Sequence, residues 1–336
     1  MYMKIDWEKL GFQFMPTKSN IRFTWKDGKW SSGRLCSDTD ITMSIAANCL
    51  HYGQAMFEGL KAFACEDGKV RVFRPDANSR RLNTTTSYLL MPEVPEEMFL
   101  DAVRTVVKDN IDYVPPYGTG GSLYIRPVMV GTAATIGIAP SNEYEFIILV
   151  VPVGPYYKGG IKPVRALIND DYDRAAPNGT GHIKIAGNYA ASLMPTKVAK
   201  DRGFDVALFL DAAKHEYVEE FGTSNFAGIT KDGTYVTPDS SSILCSITND
   251  SLIQTAEDLG IKVERRKIHK SELPEFVEVG ACGTAVVITP VSEIVHKDNV
   301  FRYGEEMGPV LRKLYDRLTG IQVGEQPDTH HWLIEI

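Results

Sequence analysis

Lys184 sits in the run Gly179-Thr180-Gly181-His182-Ile183-Lys184-Ile185-Ala186-Gly187-Asn188-Tyr189, which contains no acidic residue. Glycines let the backbone turn sharply and come close to a ligand. Apolar neighbours desolvate an ammonium and lower its pKa, which is how a lysine becomes a nucleophile toward carbonyl compounds. Read by itself, Lys184 is more commonly an ordinary loop lysine beside glycines, since most lysines are surface residues. A Walker phosphate loop fits poorly, because it needs Gly-Lys-Ser/Thr and here Ile183 and Ile185 flank the lysine.

Further stretches suit a phosphate-bearing cofactor. Ser246-Ile247-Thr248-Asn249 precedes a helical pattern, and a helix N-terminus offers free N–H groups to an anion; its commoner reading is a plain N-cap. Gly283-Thr284 lies between two apolar stretches and adds an N–H and a hydroxyl. Arg81 alone reads as a solvated helix residue. Glu219-Glu220-Phe221-Gly222-Thr223-Ser224-Asn225 sets carboxylates beside a glycine turn. A buried carboxylate there would hold a pyridinium nitrogen protonated, although a solvated acidic pair is the default. None is strong singly; together they match the needs of pyridoxal phosphate: a lysine, an acid and phosphate donors.

The elements that must position these groups follow from periodicity. Residues 21–30, 60–73 and the stretch around Lys231-Asp232-Gly233 read as hairpins on glycine turns. Helical spacing covers 76–90, with Leu82, Leu89 and Leu90 inward and Pro75 in its first turn. It also covers 96–113 (Phe99, Val103, Val106 and Val107 on one face), 190–200, 248–259 and 307–318. A helical turn is expected over 52–59. Strands are expected at 123–128, 145–151, 206–210, 261–263 and 285–290. Gly154-Pro155-Tyr156-Tyr157-Lys158-Gly159-Gly160 is the best linker, dividing the chain into domains at 1–153 and 164–336 with a 154–163 connection.

Composition excludes several classes. The chain has 336 residues, 43% hydrophobic and 24% charged, which is globular rather than disordered. A net charge of -7 and a pI near 5.6 argue against a nucleic-acid binder. Five cysteines, odd in number and without a Cys-x-x-Cys pair, point to a reducing compartment. No paired His/Cys spacing suggests a metal site. The first residues lack a signal-peptide apolar region, and no apolar run is long enough to span a bilayer. The expectation is a cytoplasmic protein without membrane or nucleic-acid partners.

Taken in order, the motifs resemble the class IV pyridoxal-phosphate aminotransferases, and within them the branched-chain amino-acid aminotransferases. The matching stretches are Phe57-Glu58-Gly59-Leu60-Lys61-Ala62-Phe63, Val72-Phe73-Arg74-Pro75 through Arg81-Leu82, and Leu123-Tyr124-Ile125-Arg126-Pro127. The lysine run, Glu220-Phe221-Gly222-Thr223-Ser224-Asn225, and Gly283-Thr284-Ala285 with Ile288-Thr289-Pro290 complete the set. They cover most of the chain.

The resemblance implies an α/β, two-domain, fold type IV architecture: a smaller N-terminal α/β domain and a larger C-terminal pseudobarrel domain, with the cofactor in the cleft between. It implies reversible transamination of L-leucine, L-isoleucine and L-valine with 2-oxoglutarate. Lys184 would form the internal aldimine and move the proton. Tyr189 would bond the phenolic oxygen, Glu220 the ring nitrogen, and Arg81, Ile247, Thr248 and Thr284 the phosphate. Phe14, Phe57, Tyr124 and Tyr156 would line an apolar pocket, with Tyr52 from a partner subunit, Thr284 and Ala285 beside the substrate, and Arg126 accepting glutamate's distal carboxylate. Tyr124 and Arg126 are two apart on a strand, so alternation puts them on one face. The partners implied are small amino and 2-oxo acids and a second copy in a homodimer.

Two departures stand out. Leu244-Cys245-Ser246-Ile247-Thr248 has Cys-Ser where relatives commonly carry Pro-Gly, and Gly283-Thr284-Ala285-Val286-Val287-Ile288 lacks the Cys-x-x-Cys of the mammalian enzymes. Competing readings are D-amino-acid aminotransferase or aminodeoxychorismate lyase on the same fold, a non-catalytic binding protein with a relic pocket, and a cofactor-free Schiff-base aldolase. The last leaves the phosphate-binding set unexplained.

Overall fold

The computed structural model describes residues 5–155 and 160–336, which form two compact units. The first takes the described part of Met1–Tyr156 with Lys184–Ala186 and Gly320–Ile336; the second takes that of Tyr157–Ile183 with Gly187–Thr319.

In the first unit, antiparallel strands β1 (Asn20–Lys26), β2 (Leu60–Ala64), β3 (Val70–Phe73), β4 (Ser122–Gly131) and β5 (Glu143–Val153) form the body of one sheet in the order β3-β2-β4-β5-β1. Helices α1 (Pro75–Tyr88) and α2 (Glu96–Asp109) accompany it. After β1, Asp27 and Gly28 take φ of 52° and 77°, the left-handed pair that turns a two-residue hairpin. Along α2, Phe99, Val103, Val106 and Val107 recur at helical spacing and are fully buried with Phe146, Ile148 and Val150 of β5. Phe99 stacks on Phe146 with ring centroids 6.4 Å apart; truncating such a side chain costs about 3–5 kcal/mol.

The helical turn expected over 52–59 is instead a helix at Asn48–Tyr52, ended by Gly53 at φ 65°, and a strand at Ala55–Phe57 paired with β4. Backbone pairing to a distant strand overrides local propensity there. Leu82 is buried as expected, but Leu90 is 69% exposed with φ 54° because α1 has already ended. The strand Leu333–Glu335 pairs with β3 and Trp332 packs edge-on against Phe73. The chain end therefore lies in the first unit, whereas the sequence reading ran the second domain to residue 336.

The second unit is a barrel. Strands β6 (Val164–Ile168), β7 (Val206–Leu210), β8 (Tyr217–Phe221), β9 (Asn225–Thr230), β10 (Phe276–Gly283) and β11 (Val287–His296) pair in the cycle β9-β10-β11-β6-β7-β8, and β8 returns to β9. The closing pair is Glu220 opposite Asn225. Inside lie Leu208, Val218, Phe221, Phe226, Ala281 and Ile294 among others. Helix α3 (Ile247–Asp258) follows a loop after Tyr235–Pro238. The strand expected from residue 285 starts at Val287, since residues 284–286 form the turn after β10. The helix expected over 190–200 is two, Ala186–Ala191 and Leu193–Asp201. The fold is α/β with two units, as the resemblance implied. Among the described residues no helix is long and apolar enough to cross a membrane, and no group of three His, Cys, Asp or Glu is placed to hold a metal.

Candidate active site

Lys184 belongs to the first unit because its backbone is tied there. Its N–H donates to Thr85 Oγ1 at 3.1 Å, its carbonyl accepts from Phe57 N at 3.3 Å, and Ile185 bridges Met56. The ammonium lies 4.9 Å from the Phe57 ring centroid, and the Arg126 guanidinium lies 4.6 Å from the same centroid. Two cations thus pack on one aromatic ring, an attraction that strengthens with desolvation. Arg126 Nη2 donates to the Tyr124 hydroxyl at 3.0 Å, so the strand alternation of β4 brings this pair together as expected.

Arg81 is not a solvated helix residue. It pairs with the fully buried Glu58, which Asn78 also holds. Burial pushes the Glu58 carboxyl up, but the charge and hydrogen bonds of Arg81, with Lys184 and Asn78, bring it below its ordinary range. Tyr52 is exposed and its hydroxyl donates to the Ile136 carbonyl. Phe14 is 63% exposed and lines a cavity of about 220 Å³ with Thr17, Arg22, Val128, Ile147 and Leu149. Phe12, which sequence reasoning missed, packs edge-on against Tyr124 with centroids 5.3 Å apart. Tyr156 lies outside the described residues.

In the second unit Glu219 and Glu220 are both buried, contrary to the default for an acidic pair. Glu220 accepts from Leu244 N at 3.0 Å and Asn225 Nδ2 at 3.2 Å, and pairs with Arg174 at 2.6 Å. A small cavity is lined by Glu220, Arg174, Tyr189, Asn188, Asn225 and Leu244. Asn188 bonds the carbonyls of Thr180 and Ile183 at 2.8 and 3.0 Å, fixing the turn just before Lys184. Asn188 and Asn225 lie inside recognised motifs; Arg174 sits in an acidic stretch with no local signal.

Ser246 caps α3, its hydroxyl accepting from Asn249 N at 3.1 Å, and Ile247 and Thr248 open the helix. Asn249 is anchored in turn, accepting from Tyr235 at 2.6 Å and donating to Thr237 at 3.0 Å. That network sets the first turn of α3 on the sheet. Thr284 and Ala285 stand in the turn after β10, which ends at Val287 with φ 71°. Such a value strains a β-branched residue, and strain of this kind gathers at ligand sites.

Taken in each unit separately, the residue types suit pyridoxal phosphate: in the first a lysine amine for its aldehyde, and in the second a held carboxylate for its ring nitrogen, with a capped helix start and a turn that offer donors to a phosphate. The family profile described as amino-transferase class IV matches residues 55–294. The branched-chain-amino-acid aminotransferase of Haemophilus influenzae is 46% identical, covering 99% of both chains. That of Helicobacter pylori is also 46% identical, over 99% of this chain and 98% of its own. The crystal structure of the Escherichia coli branched-chain amino acid aminotransferase superposes with TM-score 0.78 at 28% identity, covering 93% and 98% of the two chains. A T.th. branched-chain amino acid aminotransferase, solved with pyridoxamine 5'-phosphate, gives 0.79 at 28%, covering 93% and 97%. The chain is a member of the class IV amino-transferases.

Proposed function

We infer that the protein is a branched-chain-amino-acid transaminase, exchanging the amino group of L-leucine, L-isoleucine or L-valine with 2-oxoglutarate through pyridoxal phosphate. The observation that carries this reading is Arg126, set on the Phe57 and Tyr124 rings at 4.6 and 5.2 Å. A site that takes leucine and glutamate in turn must bury methyl groups and also neutralise a carboxylate, and an unpaired buried charge is costly. Aromatic walls with one arginine meet both demands. The relatives' names do not favour the D-amino-acid aminotransferase or lyase alternatives.

Pyridoxal phosphate, when bound, supplies an electron-withdrawing ring that acidifies the substrate α-proton and stores the amino group between half-reactions. Lys184 would supply the amine that holds the cofactor's aldehyde and would move the substrate's α-proton. Glu220 would keep the ring nitrogen protonated, and Tyr189 would donate to the phenolic oxygen. Arg81, Thr248, Thr284 and the Ile247 amide would hold the phosphate. Phe57 and Tyr124, with Phe14 and Tyr156, receive the branched side chain; Thr284 and Ala285 face the substrate, and Arg126 takes the distal carboxylate.

A homodimer is part of this reading, with Tyr52 serving the partner's pocket. Ile45, Leu50, Ile136 and Ile138 are 91%, 62%, 70% and 89% exposed, on two segments joined by the Ala47–Ala134 bridge, and exposed apolar patches mark interaction surfaces. Light scattering on the purified protein tests it.

The direct test is visible absorption of the cofactor-loaded protein with L-leucine, D-alanine or aminodeoxychorismate. A cofactor band lost with L-leucine alone and restored by 2-oxoglutarate is expected. Bleaching by D-alanine, or pyruvate from aminodeoxychorismate, would replace the reading with a sister activity.

A further inference from the structure

Arg174 takes no part in the roles above, yet it is among the most enclosed charges of the barrel unit. Its side chain is 7% exposed and that of Glu220 5%, and they meet at 2.6 Å. The same guanidinium nitrogen, Nη2, donates to the Gly181 carbonyl at 2.7 Å and the Ser242 carbonyl at 2.6 Å. These two carbonyls converge only because residue 181 has no side chain: a Cβ there would stand 1.9 Å from the Ser242 oxygen. Asp170 is engaged by His296 and Lys297, and Asp173 by His215.

We propose that Arg174 is a positioning residue for the transamination: it keeps the Glu220 carboxylate ionised and aimed, and clamps the turn before Lys184 to the loop before α3. The proposal rests on the reading that Glu220 holds the cofactor's ring nitrogen protonated. A guanidinium stays charged at any working pH and suits a buried carboxylate. Without it, Glu220 would lose the cation that meets it at 2.6 Å, and a buried carboxylate that loses such a cation is driven toward its protonated form. A protonated Glu220 no longer offers a full negative charge to a ring N–H.

The test uses Arg174→Gln, Arg174→Lys, Glu220→Gln and the double variant Arg174→Gln/Glu220→Gln. Thermal melting checks the fold, and titration with pyridoxal phosphate gives the dissociation constant and the visible band at several pH values. Arg174→Gln is expected to weaken cofactor binding at least about tenfold, a modest share of what breaking a buried ion pair costs. Arg174→Lys should recover part of that loss. In the Glu220→Gln background the Arg174→Gln change should cost less than about twofold, since interacting residues are not additive. An equal loss in both backgrounds, or wild-type binding and band by Arg174→Gln, would overturn the proposal. Unchanged affinity and band in Glu220→Gln would instead remove the Glu220 reading, and the proposal with it. Should Arg174→Gln not fold, Arg174→Lys with and without Glu220→Gln carries the same comparison.

Discussion

Arg81 and Glu58 meet as a two-pronged ion pair, Nε donating to Oε1 at 2.8 Å and Nη2 to Oε2 at 2.7 Å. The two residues lie 23 positions apart, one in the strand-flanking motif and one on α1. Their planar geometry fixes the guanidinium, as bidentate pairing does. Removing one partner of a buried pair leaves the other uncompensated.

Glu58→Gln is therefore expected to destabilise the protein by about 3–5 kcal/mol at neutral pH. The folded-state pKa of Glu58 lies below its ordinary value. Its contribution is thus present above the unfolded carboxylate value and lost as pH falls through the folded one. Urea unfolding of both proteins should show the gap at neutral pH and its narrowing in acid; a gap independent of pH would show that the charge is not what matters.

Lys184→Ala should abolish the half-reaction while leaving the melting profile close to wild type. Mixing the cofactor-loaded variant with L-leucine and following the visible band checks this. Turnover by a folded variant would refute the lysine's role.

Arg126→Met should separate the two substrates. Arg126 Nε has no hydrogen-bond partner among the described residues, which leaves donor capacity for a carboxylate. The expected fall in kcat/KM is about 10–100-fold for L-glutamate and within about threefold for L-leucine. Equal losses for both would remove the distal-carboxylate role.

Cysteine reactivity should follow burial. Burial pushes the Cys282 thiol up to about 12 and also raises Cys65, while Cys245 is exposed. Because the thiolate is the reactive form, both buried thiols stay protonated and silent at neutral pH. A colorimetric thiol reagent should titrate Cys245 in the native protein and reach Cys65 and Cys282 only after unfolding. Native reaction at Cys282 would mean that the barrel opens on the assay timescale.

What the residues themselves announce is local. The glycine turns at Asp27-Gly28 and Gly68, the buried stripe of α2 and the shared face of Tyr124 and Arg126 follow from backbone angles and from periods of 3.6 and 2. The N-cap at Ser246 is legible for the same reason, since its partner Asn249 is three residues away. Ordered motifs then name the family, because a joint match along the chain is far more specific than any member.

Tertiary structure decides the pairings across long separations. The Ala55–Phe57 strand forms because β4 offers it a partner, and Leu333–Glu335 joins β3 from the far end of the chain. Glu58 with Arg81, and Arg174 with Glu220, are matched charges that no spacing predicts, and Arg81 and Glu220 read as solvated in their own neighbourhoods. Burial is what changes their meaning. A charge withdrawn from water must find its opposite within hydrogen-bonding reach, and only the folded chain supplies it.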